Sequence, residues 1–129
     1  MTESARIAPA THSAGALRTY FNIVSEWRLA DDDARALLGV AKTTFNRWRD
    51  NPEKARLSPD QFERLSYVFG IYKDLQILFS DRETADGWMN RPNDAPLFGG
   101  RPPMTRFRRG LVADLFLARA YLNQAIQGG

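Results

Sequence analysis

Between Lys42 and Arg49 the sequence sets Lys42, Thr43, Thr44, Asn46, Arg47 and Arg49 around two large apolar residues three apart, Phe45 and Trp48. On a helix that spacing turns Phe45 and Trp48 inward and leaves the other six to the opposite side or its flanks. Ammonium, guanidinium, hydroxyl and carboxamide groups are the side chains that hold phosphates and read base edges. Immediately upstream stands Leu38-Gly39-Val40. It offers an apolar end to one helix, a Gly free to take positive φ at the turn, and a β-branched apolar residue to begin the next element, which are the needs of a helix-turn-helix. A plain helix pair with a solvated charged side would use similar residues, but turn chemistry, spacing and basic face together favour DNA. One departure stands out. Arg35 lies four residues before Gly39, where such motifs usually carry Ala, and Ala34 and Ala36 beside it imply a shifted crossing.

Other chemistry is poorly provided for. There is no Cys, so thiolate nucleophiles, thiolate metal sites and disulfides are excluded, and the one His, His12, sits in a polar stretch. No nucleophile–base pair or Gly-rich phosphate cradle accompanies the Arg-rich segment from Arg91 to Arg119, so no catalytic residue, metal or cofactor is expected and the chain does not read as an enzyme. The net charge of +3 is unevenly spread: five basic residues against Asp50 and Glu53 from Lys42 to Arg56, and an acidic patch at Asp31, Asp32 and Asp33. No run approaches the roughly 18 apolar residues of a membrane span, and MTESARIAPATHSAG lacks the apolar core of a signal peptide, so a cytoplasmic protein is expected.

The elements that must position these groups are all helical. At 129 residues, with 43% hydrophobic content, the chain suits one compact body of two intimately packed parts. Residues 1–16 read as a mobile arm. Leu17, Tyr20, Phe21, Val24 and Trp27 predict a first helix ending near Arg28. Asp31, Asp32 and Asp33 suit the start of a second, by capping and the helix dipole, and it runs to Gly39. A third begins near Ala41 and stops at Asn51-Pro52. Ser58-Pro59-Asp60-Gln61 is a capping box that opens a fourth, in which Gly70 reads as a break or kink. A short helix near Thr84–Met89 and a long loop to Pro103 precede a last amphipathic helix that uses Phe107, Leu111, Leu115, Phe116, Leu122 and Ile126. The division into parts is placed at 17–79 and 80–129.

A Trp ending a short helix, a Pro/Asn/Gly loop (Pro92-Asn93, Leu97, Gly99-Gly100, Pro102) and a Gly-interrupted amphipathic helix make a distinctive order. Here the chain resembles the Xre/MbcA/ParS family of antitoxins. The upstream order agrees: Trp27 and Leu29, then Leu37-Leu38-Gly39-Val40 and Trp48, then Leu65, Ile71, Leu75 and Phe79 before Trp88. The likeness spans roughly Leu17 to the C-terminus. It implies an Xre-type helix-turn-helix followed by a toxin-binding part, with a RES-domain toxin that consumes NAD as partner. Carried over, Trp88, Pro92, Gly99, Gly100, Pro102 and Gly110 match the family's framework. Trp88, Leu97, Gly99, Gly100 and Arg101 are the expected toxin contacts, with the tail Asn123, Gln124, Gln127, Gly128 and Gly129 approaching the toxin's cleft. Arg106, Arg108 and Arg109 depart from the family's milder composition there and read as facing acidic toxin surface or DNA. For Trp88 itself a core role, stapling the last helices, outweighs direct contact.

A single short recognition helix reads few base pairs, so a homodimer on inverted half-sites of promoter DNA is expected, joined by toxin into a higher-order complex. The rival reading is a stand-alone transcription regulator whose C-terminal half serves dimerisation or ligand sensing.

Overall fold

The computed structural model describes residues 10–128, and every regular element among them is helical. Helix α1 (Ala10–Glu26) buries Leu17, Tyr20 and Ile23, and Trp27 is buried in the turn just after it. It starts earlier than the 17–79 reading allows. Ser13 and Ala14 are buried, and the Leu57 amide donates to Ser13 Oγ at 3.2 Å, so residues 10–16 are not an arm. The sequence hid this because small residues, which permit the close approach, leave no periodic pattern of large apolar ones. The remainder of the arm, 1–9, lies outside the described residues, as does Gly129.

Helix α2 (Asp31–Leu38) carries its three Asp in the first turn, where they meet the positive end of the helix dipole. None of them caps it: the N-cap is Ala30. Gly39 closes α2 at φ 74°, and its amide donates to Arg35 O at 2.8 Å. Close packing falls to Ala34, fully buried, whose carbonyl accepts the Tyr20 hydroxyl; burial pushes that hydroxyl far above its usual pKa. Arg35 instead turns aside to Asp32 at 3.1 Å, which resolves its displacement from the usual Ala position by one residue. Helix α3 (Lys42–Asp50) follows, with Phe45 and Trp48 buried and Phe45 edge-on to Phe21 of α1.

A β-carbon on Gly39 would come 2.8 Å from the Arg64 guanidinium. Arg64 is held there by Asp60 (2.9 Å) and by Gly110 O (2.9 Å), so it ties the turn to α4 and to the C-terminal half. Gly39→Ala therefore meets both left-handed backbone strain and a pinned neighbour. A stability loss of about 1–2 kcal/mol is expected from the backbone alone, read as a lower urea midpoint with unchanged slope.

The capping box forms as expected, Ser58 with Gln61, and opens α4 (Pro59–Leu78). Gly70 does not break α4. It is buried beneath the Arg119 side chain, which crosses it to reach Asp74 at 2.6 Å; a β-carbon there would sit 1.9 Å from the guanidinium. Helix α5 (Arg82–Asp86) is capped by Asp81, whose Oδ2 accepts from the Thr84 amide and hydroxyl; those bonds hold its carboxyl below the usual range. A 3-10 turn, Trp88–Asn90, replaces the end of the expected Thr84–Met89 helix.

The last helix is two: α6 (Pro103–Phe107) and α7 (Val112–Gly128), parted at Gly110, φ 78°. The interruption rotates the pattern. Leu115, Ala118 and Leu122 are buried, whereas Leu111 and Phe116, both expected on the inner face, are exposed. Gly110 lies beside Arg64, Phe116 beside Tyr67, and Arg119 over Gly70, so α4 and α7 run side by side in the same direction. Helix α4 thus serves both parts, and residues 79–81 form the short connection from it to α5.

Candidate functional site

On α3, Lys42, Thr43 and Arg47 are exposed, and Thr44 and Asn46 are half-buried. Among the described residues neither Lys42 nor Arg47 forms an ion pair within 4 Å, so both cations are available to phosphate. Arg49 is differently placed. Its guanidinium donates to Asp31 at 2.7 Å and to Asn46 Oδ1 at 3.1 Å, and lies 5.1 Å from the centre of the Phe45 ring. Arg49 and Asn46 therefore occupy one another and tie α3 to the start of α2. Of the six residues expected to face DNA, the structure groups Lys42, Thr43, Thr44 and Arg47 as the free set.

The second surface is built on Phe98, which the sequence offered only as one residue of a loop. It is 6% exposed and lies edge-on to Trp88 (5.5 Å), Phe107 (6.5 Å) and Tyr121 (5.7 Å). The signal was available: an aromatic just before Gly99-Gly100 can plunge inward because the glycines, at φ 61° and 85°, reverse the chain behind it. The Gly100 amide donates to Asn93 O at 2.8 Å and the Asn93 amide to Arg101 O at 3.2 Å, closing the loop on itself. Trp88, 4% exposed, supports this loop and does not reach outward. Its place among the contact residues is corrected, in keeping with its core role.

Gly99, Gly100 and Arg101 are exposed, and Leu97 is half-buried. Through Phe98 the loop meets Tyr121, which lines a shallow groove of about 280 Å³ with Gln124, Ala125 and Gly128. Loop and distal α7, expected separately, are thus linked by one aromatic pair. Asn123 is half-buried, its amide donating to Arg119 O at 3.0 Å, while Gln124, Gln127 and Gly128 are exposed.

The basic run is engaged by acidic partners of the same chain, although Arg108 and Arg109 stay about half exposed. Arg106 and Arg109 both donate to Asp114, which is 1% exposed, at 2.8 and 3.0 Å. Arg106 also reaches Leu97 O at 3.1 Å, fixing the loop. Arg108 grips Asp33 through two bonds, 2.7 and 3.1 Å, which raise the guanidinium above its usual pKa and join α6 to α2. A buried carboxylate requires such partners, and that accounts for an Arg content that sequence reading assigned to toxin or DNA.

A larger cleft, about 500 Å³, opens where α1 meets α5. Arg82 bridges Glu26 (3.1 Å) and Asp86 (3.8 Å) at its edge, and burial raises the Asp86 carboxyl above the usual range. Through the Arg82–Glu26 pair this edge links α1 to α5.

Comparison with known proteins bears on both surfaces. A family model described as the antitoxin Xre-like helix-turn-helix domain matches residues 6–70, and one described as the antitoxin Xre/MbcA/ParS C-terminal toxin-binding domain matches residues 74–129. The chain belongs to the Xre/MbcA/ParS antitoxin family. The antitoxin is also 39% identical, over 134 aligned residues covering all of both chains, to the "Uncharacterized protein y4oB" of Sinorhizobium fredii (strain NBRC 101917 / NGR234). No solved structure matches it. The helix-turn-helix implies DNA as a ligand and the second domain a toxin as partner. The matched segments meet within α4, the helix both halves share. No helix among the described residues is long and apolar enough to cross a membrane.

Proposed function

We propose that the antitoxin neutralises a RES-domain, NAD-degrading toxin by covering its active site, and that it represses its own operon in the cytoplasm by binding promoter DNA as a dimer. The observation that carries the reading is the internal use of charge in the C-terminal half. Arg106, Arg108, Arg109 and Arg119 are all committed to Asp114, Asp33 and Asp74. Unpaired on the outside, among the described residues, stand a glycine loop with Arg101 beside it and a groove edged by amide and small residues. Such a surface can enter a narrow cleft: glycines take little room, and amides both donate and accept hydrogen bonds. Leu97, Gly99, Gly100 and Arg101 make the loop contact, and Gln124, Gln127 and Gly128, with Asn123 at their base, make the helix contact.

Promoter binding is assigned to Lys42, Thr43, Thr44 and Arg47. Lys42→Ala with Arg47→Ala is expected to weaken binding of the operon's own promoter by at least about tenfold and to lower the salt slope by about two. Arg49→Ala loses a surface ion pair worth at most about 1 kcal/mol and changes promoter affinity by less than about threefold. A gel shift across a salt series reads both. Equal losses in the two variants would place the DNA contact on Arg49 as well, and no loss in the double variant would remove α3 from the interface.

A further inference from the structure

Helix α7 has two charged residues among its seventeen, and both are spent inward: Asp114 on Arg106 and Arg109, Arg119 on Asp74. Its outer stripe, Ala113, Phe116, Leu117 and Ala120, is exposed and holds no charged or polar side chain. Phe116 is 53% exposed and Leu117 38%, with Leu111 also exposed just before the helix. In a chain that is 26% charged, a helix face that keeps its charges inside and shows a Phe and a Leu to solvent is an association surface. Close packing of α7 is with α4 and α6, which leaves the stripe open.

We propose that a second copy of the chain packs on this stripe, α7 against α7 about a two-fold axis; this deepens the dimer reading above and rests on it. Three features favour a copy over an unlike partner. The stripe is self-complementary in charge, since two uncharged faces meet without like-charge repulsion. It alternates small and large at helical spacing, Ala113, then Phe116 and Leu117, then Ala120. An antiparallel copy can therefore set its Phe and Leu into the gaps over the facing Ala residues. Its location also fits the use of α3: α3 packs on α1 and α2 and makes no close packing with α7, so pairing through α7 leaves both recognition helices free. The stripe from Ala113 to Ala120 covers about 12 Å of helix, which keeps the contact compact and leaves the distal end of α7, with Gln124, Gln127 and Gly128, for the toxin. The loop at Gly99–Arg101 remains for the toxin.

Sedimentation equilibrium of the full chain tests this, comparing wild type with Phe116→Glu/Leu117→Glu and, separately, with Ala120→Arg. All three sites are exposed on the single chain, so the circular dichroism of the variants should match the wild type, while loss of the dimer, and of the Phe116–Tyr67 pair in the double variant, lowers the thermal midpoint. The wild type is expected to be dimeric, with each variant raising the dissociation constant at least about 30-fold while toxin capture in a pull-down persists. Should the folded variants stay dimeric, the stripe is not the interface, although the dimer reading survives. A monomeric wild type overturns both. Retained dimerisation with lost toxin capture assigns the stripe to the toxin and overturns the proposal. If the double Glu variant fails to fold, Ala120→Arg decides by the same criterion.

Discussion

Phe98→Ala is expected to cost about 3–5 kcal/mol of stability and with it the capacity to capture toxin. Phe98 is the one side chain that joins Trp88, Phe107 and Tyr121, each in edge-on geometry. Truncation leaves a cavity that Gly99 and Gly100 have no side chains to fill. It also removes three aromatic pairs of roughly 0.5–1.5 kcal/mol each beyond the apolar transfer. Against a total stability on the order of 5–15 kcal/mol, the variant should be marginal at 37 °C. Phe98→Leu keeps most of the volume and should lose much less. Urea denaturation of both variants gives the comparison. If Phe98→Ala unfolds like the wild type, the loop is a surface connection and its assignment as a rigid contact element fails.

Arg119→Ala is expected to cost about 3 kcal/mol although the Arg119 side chain is 31% exposed. The loss arises at the other end of the pair: Asp74 is 3% exposed, and without the guanidinium its carboxylate stays buried and unpaired. Replacing both residues by apolar ones, Asp74→Leu with Arg119→Met, removes the charge requirement altogether and should return most of the stability. Gly70→Ala makes a sharper test. In an ordinary helix interior that change gains about 1 kcal/mol; here the new methyl group displaces Arg119 from its route to Asp74 and the sign reverses. A stabilised Gly70→Ala chain would show that the pair is dispensable.

The residues that proved hard to read explain how far sequence patterns reach. Helix-turn-helix geometry was legible because Gly39, Phe45 and Trp48 act through local rules: a left-handed turn and an inward face. The capping box at Ser58 and Gln61 was legible for the same reason. Gly70 and the Arg residues were misread because their roles are set by partners far along the chain, Arg119 with Asp74 and Arg108 with Asp33, and nothing in spacing marks an Arg as internally committed. Likewise Arg49 looked free on a helical wheel and is held by Asp31, eighteen residues earlier. At α7 the Gly110 interruption shifted the helical phase, turning Leu111 and Phe116 outward. The family's order of Trp88, Gly99, Gly100 and Gly110 was visible as framework, but the residue that organises it, Phe98, could be seen as an anchor only once its three aromatic neighbours stood around it.

If the antitoxin protects a cell by covering an NAD-degrading toxin, as proposed, intracellular NAD reports it most directly. The gene product encoded beside it would be expressed under inducible control with the full chain, with a chain ending after Leu122, or with neither. NAD and growth are expected to collapse with the toxin alone, to hold near normal with the full chain, and to fall to an intermediate level with the shorter chain, which keeps the loop but lacks Gln124, Gln127 and Gly128. Collapse of NAD in the presence of abundant, folded full-length chain would contradict it.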